Sequence, residues 1–338
     1  MPTTSYLFAH CSCTKEALRL SSVLCYTAVL RFYRNVGSWR TLPMRIAFTS
    51  DLHTDHHAAN RLVWQAMVAL LQDLAPDVFI CCGDIAAEEK QFGMTLMALE
   101  QVPCPKLLVP GNHDVWIQNP AWVRRGITSQ QKYYQLLPAL CRAAGVHPLW
   151  LEPYVLGDMA FCGSLGWYDY SLRNLALDTH ITLQDYRRKT FQDRVWNDGR
   201  FVHWLASEAT ATTRQRLSDQ ALTAHMVQAL AQQLQEVQSH VRRIVGVTHM
   251  LPFRSMMQYR QEARADYFGA FMGSVLLGEV FQACPAVELV LAGHTHRQLT
   301  VQVGRITALT SPVGYASQWQ GLPPDDVARQ CLRLVELT

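Results

Sequence analysis

Apolar and polar positions divide the chain after Met44 into alternating strands and helices. Residues 45–50 read as a strand that runs into Asp51-Leu52-His53. Leu62, Met67, Leu70, Leu71 and Leu74 then recur at helical spacing, and Ala75-Pro76-Asp77 breaks that helix. Residues 78–82 form a continuous apolar run that ends in Gly83-Asp84. A second helical stretch over residues 88–101 leads to Leu107-Leu108-Val109, which stops at Pro110-Gly111-Asn112-His113-Asp114. Pro110 removes a ladder donor and Gly111 permits a sharp bend, so the strand must end there. This βαβα order predicts an α/β fold of parallel strands covered by helices.

Residues 115–243 are less regular. An aromatic stretch, Phe161 to Tyr170, predicts a short strand ending near Gly166-Trp167-Tyr168-Asp169-Tyr170, and a polar, basic segment runs from Arg187 to Asp198. Leu222, Met226, Leu230, Leu234, Val237 and Val241 line one face of a long amphipathic helix, a stripe that reads as core rather than as a cofactor site. His203, His225 and His240 lie in or near helical stretches and read as bystanders. Two more buried strands follow: residues 244–247, ending in Thr248-His249, and residues 288–292, ending in Gly293-His294-Thr295-His296. Alternation at 299–303 and 306–310 predicts antiparallel strands closing a sheet edge.

Residues 1–43 lack this pattern. Their most apolar part, residues 17–33, is interrupted by Arg19 and Arg31 and is too short and polar to span a bilayer. They read as a translated upstream extension or a loosely attached arm, with one domain over residues 44–338 that carries a helical and aromatic insertion around 115–243. With 338 residues and 49% hydrophobic content, the chain can bury a large core. Thirty basic and 27 acidic residues give a net charge of +3, too balanced to argue for nucleic acid or an anionic membrane as a partner. The ten cysteines show no framework. Cys81 and Cys82 sit side by side in a strand, where neighbours face opposite ways and do not bridge. Cys11-Ser12-Cys13 could start a metal half-site, but no matching pair follows. Free core thiols fit a reducing compartment, and the expected location is the cytoplasm.

The chemistry gathers at the strand ends. Asp51, His53, Asp84, Asn112, His113, His249, His294 and His296 all follow predicted strands, and in open α/β sheets sites form outside the carboxyl ends of strands. A single histidine there is usually a hydrogen-bonded core residue, and the Gly111-Asn112-His113-Asp114 turn alone could merely start a helix. Five such segments together point to a metal site. Its oxygen and nitrogen donors, without thiolate, suit a borderline divalent metal such as Mn, Fe, Co or Zn. If Asp51 and His53 continue a strand, their side chains share a face, and the same holds for His294 and His296. Asp55, His56 and His57 could line the cleft or begin a helix. Trp167-Tyr168-Asp169-Tyr170 could wall the cleft, and Arg254 could contact an anionic ligand or be an ordinary surface arginine. No G-x-x-x-x-G-K-[ST] loop occurs.

The ordered set Asp51-X-His53, Gly83-Asp84, Gly111-Asn112-His113-Asp114, His249 and Gly293-His294-X-His296 resembles the five blocks of the calcineurin-like metallophosphoesterase family, spanning residues 51–296. The resemblance implies a four-layer α/β/β/α sandwich, two mixed β-sheets flanked by helices. It implies a dinuclear centre of divalent ions, Mn, Fe, Zn or Co. Asp51, His53, Asp84 and His296 would hold one ion and Asp84, Asn112, His249 and His294 the other, with Asp84 shared. By the same resemblance a bridging hydroxide attacks phosphorus, His113 assists the leaving group, and Asp114 holds the His113 ring and raises its pKa. The implied function is hydrolysis of a small-molecule phosphoester. Monoester and diester substrates both stay open, and cyclic-nucleotide phosphodiesterases share the blocks. Lipid-A-pathway pyrophosphatases usually carry Arg where this chain has His113. A non-catalytic scaffold of the same fold would be expected to have dropped ligands that are all present here.

Overall fold

Strands that are apolar along their whole length need cover on both faces, and the computed structural model, which describes residues 43–206 and 215–337, supplies it. The arm expected over residues 1–43 lies outside the described residues except for Pro43. In chain order the strands of the two large sheets are β1 (Met44–Thr49), β2 (Val78–Cys81), β3 (Lys106–Leu108), β4 (His147–Pro148), β5 (Tyr154–Leu156) and β6 (Met159–Ser164). They continue with β7 (Arg243–Thr248), β8 (Val287–Ala292), β9 (Leu299–Val303), β10 (Ile306–Thr310) and β11 (Arg333–Leu337). The principal helices are α1 (Ala58–Leu74), α2 (Glu89–Met97), α3 (Asp219–Val237), α4 (Val275–Ala283) and α5 (Pro324–Cys331).

One sheet has the order β11-β1-β2-β3-β4, and the other β9-β10-β8-β7-β6-β5. Both are mixed. β1 to β4 run parallel, with β11 antiparallel on β1; β6, β7, β8 and β10 run parallel, with β5 and β9 antiparallel at the edges. Alternation along each strand builds the layers. Ile46, Phe48 and Ile80 from the first sheet meet Phe161, Val247 and Leu291 from the second in one buried cluster, the seam between the sheets. The intervening residues, among them Ala47, Phe79, Cys162 and Val290, belong to a second cluster that contains the helices. The result is a four-layer α/β/β/α sandwich. Cys81 and Cys82 fall into different clusters, on opposite faces, and the seven cysteines among the described residues are free thiols.

The helices follow their apolar stripes. α1 buries Val63, Trp64, Met67 and Leu71, and its Trp64 ring lies 6.2 Å from Phe79 of β2. His57 caps its start by accepting the Ala59 N–H, and Ala75 ends it in a left-handed turn before Pro76. α3 turns Leu222, Met226, Leu230 and Leu234 inward. Its Gln233 accepts the Gly163 N–H at 2.9 Å and donates to the Leu149 and Gly163 carbonyls, riveting the helix to β6. Residues 115–243, expected as an insertion, give β4 to the first sheet and β5 and β6 to the second, with short helical turns before β4 and a further irregular stretch between β6 and α3. No helix among the described residues is long and apolar enough to cross a membrane.

Candidate metal centre

The loops after β1, β2 and β3 meet those after β7 and β8 at one end of the seam, and Asp51, His53, Asp84, Asn112, His113, His249, His294 and His296 come together there. The expectation that Asp51 and His53 share a face of a strand is incorrect, as it is for His294 and His296. β1 ends at Thr49 and β8 at Ala292, before these pairs. Asp51 (φ 54°), His53 (φ 44°), Asp84 (φ 56°), His294 (φ 70°) and His296 (φ 51°) all adopt left-handed backbone. Each such turn swings a side chain back over the strand ends, at a cost that Asp and His tolerate better than most residues.

Two glycines let the loops touch. Gly83 has φ +87°, and a Cβ there would lie 2.6 Å from Gly111 N and 2.7 Å from His249 Nδ1. A Cβ on Gly111 would fall 2.0 Å from Asp84 Oδ1. The Asp84 carboxylate therefore sits at the centre. Its Oδ1 accepts the His113 N–H at 2.9 Å, and its Oδ2 lies 3.7 Å from His53 Nε2, 3.5 Å from His249 Nε2 and 4.0 Å from His113 Nε2.

Around it are three sets of potential ligand atoms, each within 4.8 Å of one another: Asp51, His53 and His296; His53, Asp84 and His113; Asp84, His249 and His294. His113, assigned above to the leaving group, thus also stands beside the donors, but its side chain is 21% exposed where those of His53, Asp84 and His249 are at most 2%.

Outer partners fix the imidazole tautomers. His249 Nδ1 donates to the Cys82 carbonyl at 2.8 Å, and His294 Nε2 to the Phe271 carbonyl at 3.2 Å. Gln318 Oε1 accepts both the Tyr315 N–H and His296 Nδ1, at 2.8 and 2.9 Å. The remaining nitrogens turn inward, as carbonyl-oriented metal-binding histidines do. His249 Nε2 and His294 Nδ1 then face each other at 3.1 Å, a contact that needs a positive charge, a proton or a cation, between two lone pairs. Burial acts to lower His249, but Asp84 and Asp51 reverse it and lift it to about 9. Burial dominates at His53 and His294, holding both well below the usual imidazole range. Burial would raise Asp84, yet His249 and His113 hold it well below the carboxylate range. A buried, inward-facing set of imidazoles, carboxylates and one amide oxygen fits divalent metal.

Asp114 departs from its expected role of holding the His113 ring. Its carboxylate is fully buried and accepts four backbone N–H groups, from Gly111 at 2.7 Å, Asp84 at 2.9 Å, Ile85 at 2.8 Å and Ala86 at 3.0 Å. It locks the two loops that carry Asp84 and Asn112. Asp114→Ala would orphan those donors and is expected to destabilise the fold by about 3 kcal/mol or more, measured by denaturant unfolding; an unchanged midpoint would remove this role. The His113 ring is instead stacked on Trp116, with centroids 3.7 Å apart.

Several neighbours were invisible in the sequence. Lys132, fully buried, donates to the Ala87 and Trp116 carbonyls and pairs with Glu89 at 3.2 Å, tying the same two loops from behind. The Tyr315 ring lies 4.5–4.7 Å from those of His53, His56 and His296. Asp198 hydrogen-bonds Asn112. Only Trp116, two residues beyond Asp114, carried a positional signal. Other candidates are occupied elsewhere. Asp55 accepts the Ala87 and Glu88 N–H groups, and Arg254 donates to the Ser171 and Arg173 carbonyls. Trp167, Tyr168 and Tyr170 are buried. Of the histidines set aside, His203 meets Arg216 and His225 meets the Tyr134 hydroxyl.

Residues 44–298 match the model of the calcineurin-like phosphoesterase family. No curated protein matches the chain. Among solved structures, the phosphopantetheinyl hydrolase of Mycobacterium tuberculosis superposes with a TM-score of 0.64 at 20% identity, covering 87% of this chain and 96% of that one. A dimetal phosphatase from Danio rerio gives 0.43 at 13% identity over 79% of this chain and 86% of its own, too loose a likeness to bear on function. The family match spans most of the chain and every block of the centre, and the chain accordingly belongs to the calcineurin-like phosphoesterase family, as a phosphoric ester hydrolase.

Proposed function

We propose that this phosphoesterase works with two divalent ions, one on each side of Asp84. The observation that carries the reading is the position of Asp84 Oδ2, 3.7 Å from His53 Nε2 and 3.5 Å from His249 Nε2, between the two outer donor sets. Asp51, His53, Asp84 and His296 would hold one ion; Asp84, Asn112, His249 and His294 the other. The donor chemistry suits Mn, Fe, Zn or Co. When bound, such ions neutralise charge on phosphoryl oxygens and acidify water.

The chain's own residues supply orientation and a proton. The carbonyls of Cys82 and Phe271 and the Gln318 amide each take one ring N–H, so that the inward nitrogens would be the ones to offer lone pairs to a bound cation. Asp114 and Lys132 hold the loops in register. His113, with one face on Trp116 and the other side open, gives its Nε2 proton to the departing oxygen. In this reading the catalytic unit begins at Met44 and the substrate is a small-molecule phosphoester. The phosphopantetheinyl hydrolase likeness adds a phosphopantetheinyl ester to the monoesters, diesters and cyclic nucleotides worth screening.

Hydrolysis of p-nitrophenyl phosphate and its bis-ester tests the reading directly. Activity is expected to need Mn²⁺, to vanish with chelator, to return on adding metal, and to accompany about two ions per chain. Neither activity nor bound metal, on protein that is folded, would overturn it.

A further inference from the structure

Asp198 lies outside the family blocks, in the irregular segment beyond β6. It is 1% exposed, and no lysine, arginine or histidine pairs with it among the described residues. Four neutral donors converge on it instead. Oδ1 accepts Asn112 Nδ2 at 3.0 Å and Trp116 Nε1 at 2.6 Å, while Oδ2 accepts the Tyr168 hydroxyl at 3.1 Å and Trp196 Nε1 at 2.8 Å. An indole N–H can only donate, and one meets each carboxylate oxygen, so both oxygens act as acceptors and all four groups present their donors to Asp198.

Three of the four lead to the metal centre. An asparagine amide can sit either way round, and only one way presents oxygen to a cation. Asp198 takes the NH₂ end of Asn112, leaving Oδ1 facing inward, 3.1 Å from His249 Nε2. Trp116 carries the His113 ring at 3.7 Å, and Trp196 stands edge-on to His294 at 5.8 Å. We infer that Asp198 is a positioning residue that fixes the Asn112 amide with its oxygen toward the metal and, through two indoles, steadies His113 and His294. The inference rests on the two-metal reading above.

Exchanging the pair tests it, with Mn²⁺ binding to the full-length chain followed by calorimetry and elemental analysis. Asn112→Asp places a second carboxylate against Asp198, and repulsion should weaken one of the Mn²⁺ sites by about 10–100-fold although carboxylate is the better ligand. Asp198→Asn frees the Asn112 amide to invert and should weaken the same site on a similar scale. The double variant restores one donor facing one acceptor and should recover most of the lost affinity. Asn112→Asp binding as wild type, or a double variant weaker than both singles, overturns the assignment. Should Asp198→Asn fail to fold, Asn112→Asp alone decides in the same two directions. A wild type that binds no Mn²⁺ overturns the metal reading and this assignment together; a wild type that binds it with Asn112→Asp undiminished overturns the assignment alone.

Discussion

Asp84→Ala is expected to abolish turnover and metal binding together, with kcat falling by at least about a thousandfold, the scale of losing a principal electrostatic element of a site. The reason is the convergence on one oxygen. Three imidazole nitrogens lie 3.5–4.0 Å from Asp84 Oδ2, and removing the carboxylate takes away the oxygen on which they converge. Excess Mn²⁺ should not rescue the variant, since in the proposed two-ion arrangement both ions would lose the ligand they share. Asp84→Asn is the sharper control: it keeps the side chain's shape and tolerates the left-handed backbone at φ 56°, yet lacks the charge. It should fail nearly as badly. Elemental analysis beside the assay decides, and a variant that retains both ions and activity would remove Asp84 from the hub.

His113→Ala is expected to behave differently. Its metal content should match wild type, while turnover of an ester with a poor alkoxide leaving group falls by about 10²–10⁴, the usual worth of a positioned acid. Loss on p-nitrophenyl phosphate should be far smaller, because nitrophenolate departs without a proton. The contrast between the substrates is the measurement. Equal loss on both, or loss of metal, would mean that His113 serves as a ligand, which its proximity to His53 and Asp84 permits geometrically.

Much of the architecture was legible in the strand and helix periods. Continuous apolar runs signalled strands covered on both faces, and polar residues directly after them marked the site. The failures share a cause. The face-sharing argument for Asp51 and His53 assumed extended backbone, whereas both are left-handed, a conformation that no periodicity reveals. The family resemblance placed Asp114 on the His113 ring, but its carboxylate answers backbone donors from the loop after β2, some 30 residues earlier. Asp198 meets Asn112 across 86 residues, and nothing local in Trp196-Asn197-Asp198 distinguishes a buried hub from a polar surface turn. Residue types at strand ends were readable; the hydrogen bonds that aim them were not.

The centre straddles the seam between the sheets, and this bears on how the chain acquires it during synthesis. Asp51, His53, Asp84 and Asn112 leave the ribosome early and can be arranged by the first sheet's strands. His249, His294 and His296 follow only after β7 and β8 have been made. In the proposed assignment a nascent chain would therefore carry Asp51, His53 and Asp84 for one ion, and only Asp84 and Asn112 for the other, until β7 and β8 emerge. In that assignment full occupancy would report completed assembly, because no contiguous fragment that ends before residue 296 contains all the proposed donors.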